Sequence, residues 1–503
     1  MMLNSGVHLT HQTHSGATVS DNRALWHATT DDPTPCPPLG QSLDIDVAIV
    51  GGGYTGLWTA LWLSIMDPSI DIAVFEAKLC GHGASGRNGG WVMGSLEGID
   101  QFADTRNGRL PEDVIEILRQ LLPSFQETLE QQGINCDFQH GGALYSAARV
   151  TQQYARARAA LNHYHTLGFD DSDYRWLSAT EAQTRVAASA TQGAIVTPHV
   201  AVVHPRKLVL GLRAAVLARG IRLYENCVIK PDNKVLRALP QGVVGADKQP
   251  PNDNHRTNAA APTVRATSVV WATEGYTARG TPLSGRLLPV HSGMVATEPL
   301  SDDLWQTLGF EQRPGFCDFS RLSTYLQRTA DNRLVVGARG RMLYRANPGH
   351  TLHADPRDTR ARITLARQLF PSLANTAFPY AWGGTLAVAR QQTPHVVFDP
   401  HKQWLTAGGY TGEGVGASFL VGRTLAELLA GHQSARTAMP WVRTGSFQQL
   451  LPEWEPQPLP YLAFQGMTQC YRLEEHYDAH NAQHLPARLS RWGAATITKL
   501  LGH

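Results

Sequence analysis

Seven residues hold the clearest chemistry in this sequence. They are Gly51-Gly52-Gly53-Tyr54-Thr55-Gly56 and Glu76, a carboxylate twenty positions after the last glycine. An apolar run, Val47 to Val50, enters the glycines, and the helix-like LWTALWL leaves them. A second apolar run, Ile72 to Phe75, ends at Glu76. The pattern predicts a β-turn-α-β unit with a G-x-G-x-x-G turn. Gly51 suits the tight turn, Gly53 lets the backbone approach a pyrophosphate, and Gly56 lets helix pack on strand. The helix N-terminus offers N–H groups and a positive dipole end to phosphate. Glu76, at the tip of the second strand, is placed to accept hydrogen bonds from a ribose diol. A lone G-x-G-x-x-G often marks only a turn. Strand, helix, strand and acid in this order point to a bound dinucleotide.

The residues just after Glu76 separate FAD from NAD. A nicotinamide enzyme would continue with ordinary alternating strands and helices. Here a second glycine-rich stretch comes at once, Gly81-His82-Gly83-Ala84-Ser85-Gly86-Arg87-Asn88-Gly89-Gly90. It has little side chain to bury, so its backbone is expected to lie against a ligand rather than form a surface loop.

These blocks carry a family likeness. GGGYTGLWTA, VFEAKLCGHGASGRNGGW, VVWATEGYT (269–277), AWGG (381–384) and WLTAGGYTGEGVGASFLVGRTLAELLAG (404–431) resemble the FAD-dependent amine and amino-acid oxidoreductases. That group includes D-amino acid oxidase, glycine oxidase, sarcosine oxidase and γ-glutamylputrescine oxidase. The likeness runs in order from about residue 25 to 475. Through GASGRNGG it looks most like the γ-glutamylputrescine oxidase branch, and the lead-in ALWHATTDDPTPCPPLG is similar to aminophosphonate oxidoreductases of that branch.

The resemblance implies an α/β fold: a discontinuous Rossmann-like FAD-binding domain with an α+β substrate domain built on an antiparallel sheet. It carries FAD contacts onto Gly51, Gly53, Tyr54, Thr55 and Gly56, and onto Glu76, Ala77 and Lys78 at the end of the second strand. In the second glycine-rich block it carries them onto Gly83, Ala84, Ser85, Arg87, Asn88 and Gly89. Val228 is expected near the adenine, and Ala272, Thr273 and Gly275 in the family's second dinucleotide motif. Gly383, Gly409, Gly412, Glu413, Gly414 and Val415 complete the set. The helix that starts after Gly412 is expected to turn its N–H groups to the flavin N1/C2=O edge, where a helix N-terminus stabilises the negative charge of reduction.

The implied reaction is hydride transfer from an amine's Cα to flavin N5, followed by hydrolysis of the imine. It needs an unprotonated nitrogen and exclusion of water, and no strong base. His291, Tyr325, Trp382 and Tyr410 are the candidates to shape the site, although each is equally at home as a core or hydrogen-bonded structural residue. Arg339 or Arg341 would suit a carboxylate or phosphonate, with a surface ion pair as the ordinary alternative. Some relatives bind flavin covalently. Arg87 stands where the histidyl relatives have their linked residue, and residues 381–403 contain no Cys, so non-covalent FAD is expected. Electrons pass to O2 or another acceptor. Two rivals are weighed: an NAD-dependent dehydrogenase, which leaves 81–90 and 404–414 unexplained, and a flavin-fold subunit of a heteromeric assembly.

Composition agrees. A chain of 503 residues suits two intertwined domains plus tails. Lys and Arg number 44 against 42 Asp and Glu, which gives no electrostatic case for nucleic acid or an anionic membrane. The polar N-terminus has no apolar signal region, and no stretch approaches the roughly 18 to 20 apolar residues of a membrane span, so a cytoplasmic protein is expected. Six scattered cysteines lack C-x-x-C spacing and read as free thiols, with no metal site.

The expected organisation is a tail over 1–41, an FAD-binding domain from 42–134, 197–286 and 381–435, and a substrate domain from 135–196 and 287–380. An extension covers 436–503. A bridging helix near 111–132 is expected to kink or break at Pro123. Residues 135–196 suggest strands and a helical hairpin, 245–262 a mobile loop, and Asp331-Asn332 a hairpin turn.

Overall fold

The computed structural model describes residues 24–232, 235–240, 261–277, 280–338, 340, 342, 354–479 and 485–501. Most of the loop expected at 245–262, together with Arg339 and Arg341, lies outside them.

Two sheets carry the fold. The first has nine strands, and its centre is parallel. Leu43–Val50 pairs with Ile72–Phe75 on one side and Thr263–Trp271 on the other. The last four residues of Leu43–Val50 and all of Ile72–Phe75 are buried, because helices cover one face of the sheet and the hairpin of Cys227–Asp232 and Val235–Pro240, with the short helix Phe447–Leu450, covers the other. Two helices, Tyr54–Met66 and Gly414–Leu429, lie side by side against this sheet. A Cβ on Gly422 would stand 2.6 Å from the Trp58 Cβ, so glycine is what lets the two backbones approach. Both helices are buried nearly all round, which explains their lack of a polar face.

The second sheet has eight strands, in the order Tyr380–Ala389, Leu287–Ala296, Leu334–Ala338, Thr324–Arg328, Gly315–Asp318, Ala143–Ala147, Gly193–Thr197, Arg175–Ser178. Every pair is antiparallel except Gly315–Asp318 with Ala143–Ala147. Asn332, at a φ of 60°, makes the turn between Thr324–Arg328 and Leu334–Ala338. One face of the sheet buries Leu144, Phe316, Leu326, Val336 and Ala381 beneath the helix Pro356–Leu369. The other face meets the first sheet's loops.

Several sequence expectations need correction. Tyr380–Ala389, assigned to the FAD domain from residue 381, pairs along its whole length with Leu287–Ala296 and is a strand of the second sheet. Val442–Thr444, assigned to the extension, adds an edge strand to the first sheet beside His395–Asp399. The bridging helix, Glu112–Gln131, is one element through Pro123. Its buried stripe of Val114, Leu118, Leu121, Leu122, Phe125 and Leu129 holds it where a lost backbone hydrogen bond alone would break it. The helices Gln152–Leu167 and Ala179–Arg185 are separated by a strand and make no hairpin.

Residues 24–41 are not a tail. Leu25 and Trp26 are buried, and the Cys36 N–H donates to the buried Glu225. All six cysteines are free thiols. Among the described residues no helix is long and apolar enough to cross a membrane, and no group of acids, histidines and thiols is arranged to hold a metal.

Candidate functional site

The turn between Val50 and Tyr54 is a cradle made by absent side chains. Gly51 has a φ of 120°, and a Cβ there would press to 2.4 Å from the Ala272 carbonyl oxygen. A Cβ on Gly56 would stand 2.0 Å from the Gly51 oxygen, and one on Gly53 would stand 2.9 Å from Ser85 Oγ. The helix beyond this turn has no cap from its own N-cap residue, Gly53. Its first N–H, on Tyr54, donates to Ser85 Oγ at 3.0 Å, which ties the second glycine-rich block to the first turn.

Glu76 closes this turn. Its carboxylate accepts the Gly52 N–H at 2.7 Å and the Lys78 N–H at 2.9 Å. Burial pushes the group upward, and those two N–H bonds hold it back. Ala77 and Lys78 are exposed beside it, and Val228 sits half-buried in the adjoining hairpin. Glu76→Gln keeps the shape and loses one charged acceptor. Flavin affinity is expected to fall about tenfold to a hundredfold, from a charge-assisted bond worth about 1.5 to 3 kcal/mol. Titration of the stripped protein with FAD checks this, and an unchanged dissociation constant would restrict Glu76 to shaping the turn.

The second glycine-rich block is strapped between the two sheets. Asn88 donates to the carbonyls of Ala84 and Ser85 and accepts the Gly90 N–H at 2.8 Å. Trp26 Nε1 donates to the Asn88 carbonyl and Trp382 Nε1 to the Arg87 carbonyl, both at 2.9 Å. Gln327 donates to the Gly89 carbonyl. A Cβ on Gly89 would enter the Tyr325 ring at 2.4 Å, and one on Gly83 would meet Tyr276 at 2.8 Å. Gly384 faces Ala84 and Arg87, and Gly383 pairs with Gly293.

The second dinucleotide motif joins the same centre. The Ala272 N–H donates to the Val50 carbonyl, and Thr273 bonds Thr277. Gly275 packs on the Leu386 backbone. Between them, Glu274 accepts the Ala387 N–H at 2.8 Å, and burial pushes it up to about 7. In the C-terminal loop Gly409 and Gly412 take φ of 78° and 113°, and Glu413 precedes the helix Gly414–Leu429 without capping it. Val415 is buried in that helix's first turn.

Of the four residues proposed to shape the reaction site, Trp382 shares the sheet face that meets the glycine-rich block with Tyr325. The Tyr325 hydroxyl lies 3.4 Å from Ser292 Oγ, and its ring meets Trp91 edge-on at 6.4 Å. Trp382 has no exposed surface; it packs on Trp26 at 5.8 Å and supports the block from behind. Tyr410 is buried, with its hydroxyl 2.7 Å from Thr55 Oγ1, so it ties the C-terminal loop to the first helix instead of facing a substrate. His291 shares a strand face with Gly293, whose missing Cβ would point to Arg362 of the covering helix. Strand alternation turns His291 away from the block.

The spacing gave no signal for a further group. Ser95 and Glu97, after the strand Trp91–Met93, approach Glu413, while Tyr145 and Cys317 face them from the second sheet.

The glycine cradle, the two uncapped helix starts and Glu76 fit an extended FAD, with its adenosine end at Gly51 to Glu76 and its ring end toward Gly89 and Gly412 to Gly414. The profile of the family described as FAD dependent oxidoreductase matches residues 46–428. The chain belongs to that family. This FAD-dependent oxidoreductase is 29% identical over 423 residues to gamma-glutamylputrescine oxidoreductase of Escherichia coli, covering 81% of this chain and 89% of the relative. It is 25% identical over 406 residues to the probable oxidoreductase OrdL of Haemophilus influenzae, covering 78% and 85%. Glycine oxidase from Geobacillus kaustophilus has the same fold, with a TM-score of 0.62 at 20% identity, covering 82% of this chain and all of that one.

Proposed function

We propose that this oxidoreductase acts in the cytoplasm on the C–N bond of a primary or secondary amine. The carrying observation is the uncharged face of the second sheet. Tyr325, Gln327, Ser292, Met294, Gly315, Cys317 and Tyr145 share it by register and alternation. Burial pushes the Tyr325 and Tyr145 phenols and the Cys317 thiol upward, so all three keep their protons near neutral pH.

Oxidation of an alcohol calls for a base to take the hydroxyl proton as hydride leaves. This wall offers none. An amine bound with a neutral nitrogen needs none, because the nitrogen lone pair stabilises the carbon that loses hydride. When bound, FAD supplies the two-electron acceptor for that hydride. Tyr325 packs its ring against Gly89, Trp91 meets that ring edge-on, and the two together keep water from the path. The imine takes up water and parts into a carbonyl compound and ammonia or a smaller amine.

γ-Glutamylated polyamines, N-alkyl amino acids and aminoalkyl phosphonates are the classes to expect. The first is supported by the likeness to the Escherichia coli gamma-glutamylputrescine oxidoreductase. O2 is the favoured final acceptor. FAD is held without a covalent bond: Cys80 is buried against Gly52, and by the family resemblance Arg87 stands where the histidyl relatives have their linked residue. Trapping the carbonyl product with a hydrazine while measuring released amine tests the reaction. Equal yields are expected, and a carbonyl formed only from alcohols would reject it.

A further inference from the structure

The helices Leu459–Ala479 and Leu485–Leu501 lie antiparallel as a hairpin against the second sheet. Glycines let them close. A Cβ on Gly466 would stand 3.2 Å from Ile497 Cδ1, and one on Gly493 the same distance from Cys470 Sγ. The inner side of the hairpin is packed, with Met467, Tyr471 and Ala494 against Leu288, Val290, Met342 and Val388.

The charges of the hairpin are sorted between its two sides. Glu474 and Asp478 are buried. Glu474 accepts Arg321 Nε at 2.8 Å, and Asp478 pairs with Arg156 at 2.8 Å and with Arg491 at 3.0 Å. Glu475 accepts the Leu322 N–H at 3.1 Å. Among the described residues no acid of the hairpin is exposed, whereas Arg472 is. From Ala479 to His503 the sequence holds Arg488, Arg491 and Lys499 and neither Asp nor Glu. The near-even charge of the whole chain hides this local excess.

The outer side is also apolar. Leu462 and Leu473 are 57% and 46% exposed, Leu489 is 54% and Trp492 69%. Together with Leu459 they are five of the seven large apolar side chains exposed among the described residues, so they are not scattered singly. Leu462 and Leu473 stand three helical turns apart, and Leu489 and Trp492 stand one turn apart, so each pair lies on one side of its helix. That side is turned away from Met467, Tyr471 and Asp478.

A second copy of the chain fits this side poorly. A two-fold contact sets the same surface of both copies together, so Arg472 would face like charge, and the exposed Gln469 interrupts the apolar row. Leucine and tryptophan beside cations, with the acids turned inward, suit helices lying in the plane of a lipid surface. Apolar side chains enter the acyl boundary while cations stay among the headgroups. We propose that the outer side of this hairpin binds an anionic lipid surface and makes the oxidoreductase a peripheral membrane protein.

The test is flotation of the yellow holoenzyme with vesicles of equal parts phosphatidylcholine and phosphatidylglycerol, beside vesicles of phosphatidylcholine alone. Partition onto the anionic vesicles is expected to be at least about tenfold stronger and to fall as salt is raised. Leu489→Ser with Trp492→Ser is expected to lower it at least about tenfold, and Arg472→Gln about fivefold, with flavin retained in both variants. Equal partition of the wild-type protein onto the two vesicles, or none onto either, overturns the proposal even if a variant fails to fold. So does a double-serine variant that keeps its flavin and floats like the wild type. Absence of flotation, with a dimer that the double-serine variant breaks, would assign the surface to a second copy instead.

Discussion

Gly56→Val is expected to yield a protein without flavin. A Cβ at this position would lie 2.0 Å from the Gly51 oxygen and 3.1 Å from Ile49 Cγ2, and the first of these is backbone that no rotamer change can clear. The helix Tyr54–Met66 must lift from the strand Leu43–Val50. That opens the turn whose Gly52 N–H is held by Glu76 and whose Tyr54 N–H is held by Ser85. The first-turn N–H groups then no longer converge on a pyrophosphate. Flavin-to-protein absorbance on purification is expected to fall at least about a hundredfold, a loss of roughly 3 kcal/mol of binding. Gly40→Ala is the control, because nothing lies within 4 Å of a Cβ there. Full flavin occupancy in Gly56→Val would remove the turn from the FAD site.

Acid should release the flavin well before general acid unfolding. Burial, with the nearby Arg206 and Arg87, holds His27 down at about 3. His82 and His204 are pushed down to about 4, again chiefly by burial. All three surround the glycine-rich block or the helix Pro205–Ala218 that supports it. In the unfolded chain such histidines protonate near 6.5. Their lowered folded values mean that stability is full above that pH and is lost as pH falls from 6.5 toward 4. The slope is about 1.4 kcal/mol per pH unit for each histidine that only the unfolded chain protonates. Free-flavin fluorescence is expected to rise through this window, and His27→Gln with His82→Gln should move the midpoint to lower pH. An unmoved midpoint would contradict the mechanism, and flavin that stays with the acid-precipitated chain would contradict non-covalent binding.

Local requirements were legible in the sequence; long-range ones were not. Gly51 and Gly56 are demanded by their own turn, and Glu76 by the end of its own strand, so spacing alone locates them. Tyr410 is different. Its hydroxyl ends on Thr55, 355 positions earlier, and no local pattern shows that the helix consumes it. The orientation of His291 and the burial of Trp382 depend on register with partner strands, and a shift of one residue would exchange the two faces. Pro33, Pro35, Pro37 and Pro38 exclude regular structure, and the segment has none, yet it is fastened by Glu225, Arg213 and Arg206 on distant elements. Absence of helix and strand is not absence of order. Glu97 and Glu413 meet only because the strand Trp91–Met93 and the C-terminal loop converge.

Anaerobic mixing of the purified yellow protein with amines, monitored at the flavin band, tests amine oxidation most directly. γ-Glutamylated polyamines, N-alkyl glycines and aminoalkyl phosphonates are the first compounds to try, each beside the alcohol of matching chain. At least one amine is expected to bleach the band completely in the absence of O2, with a rate that rises as pH approaches the amine's own pKa and more nitrogen is neutral. Bleaching by the alcohols, with every amine inert, would contradict it.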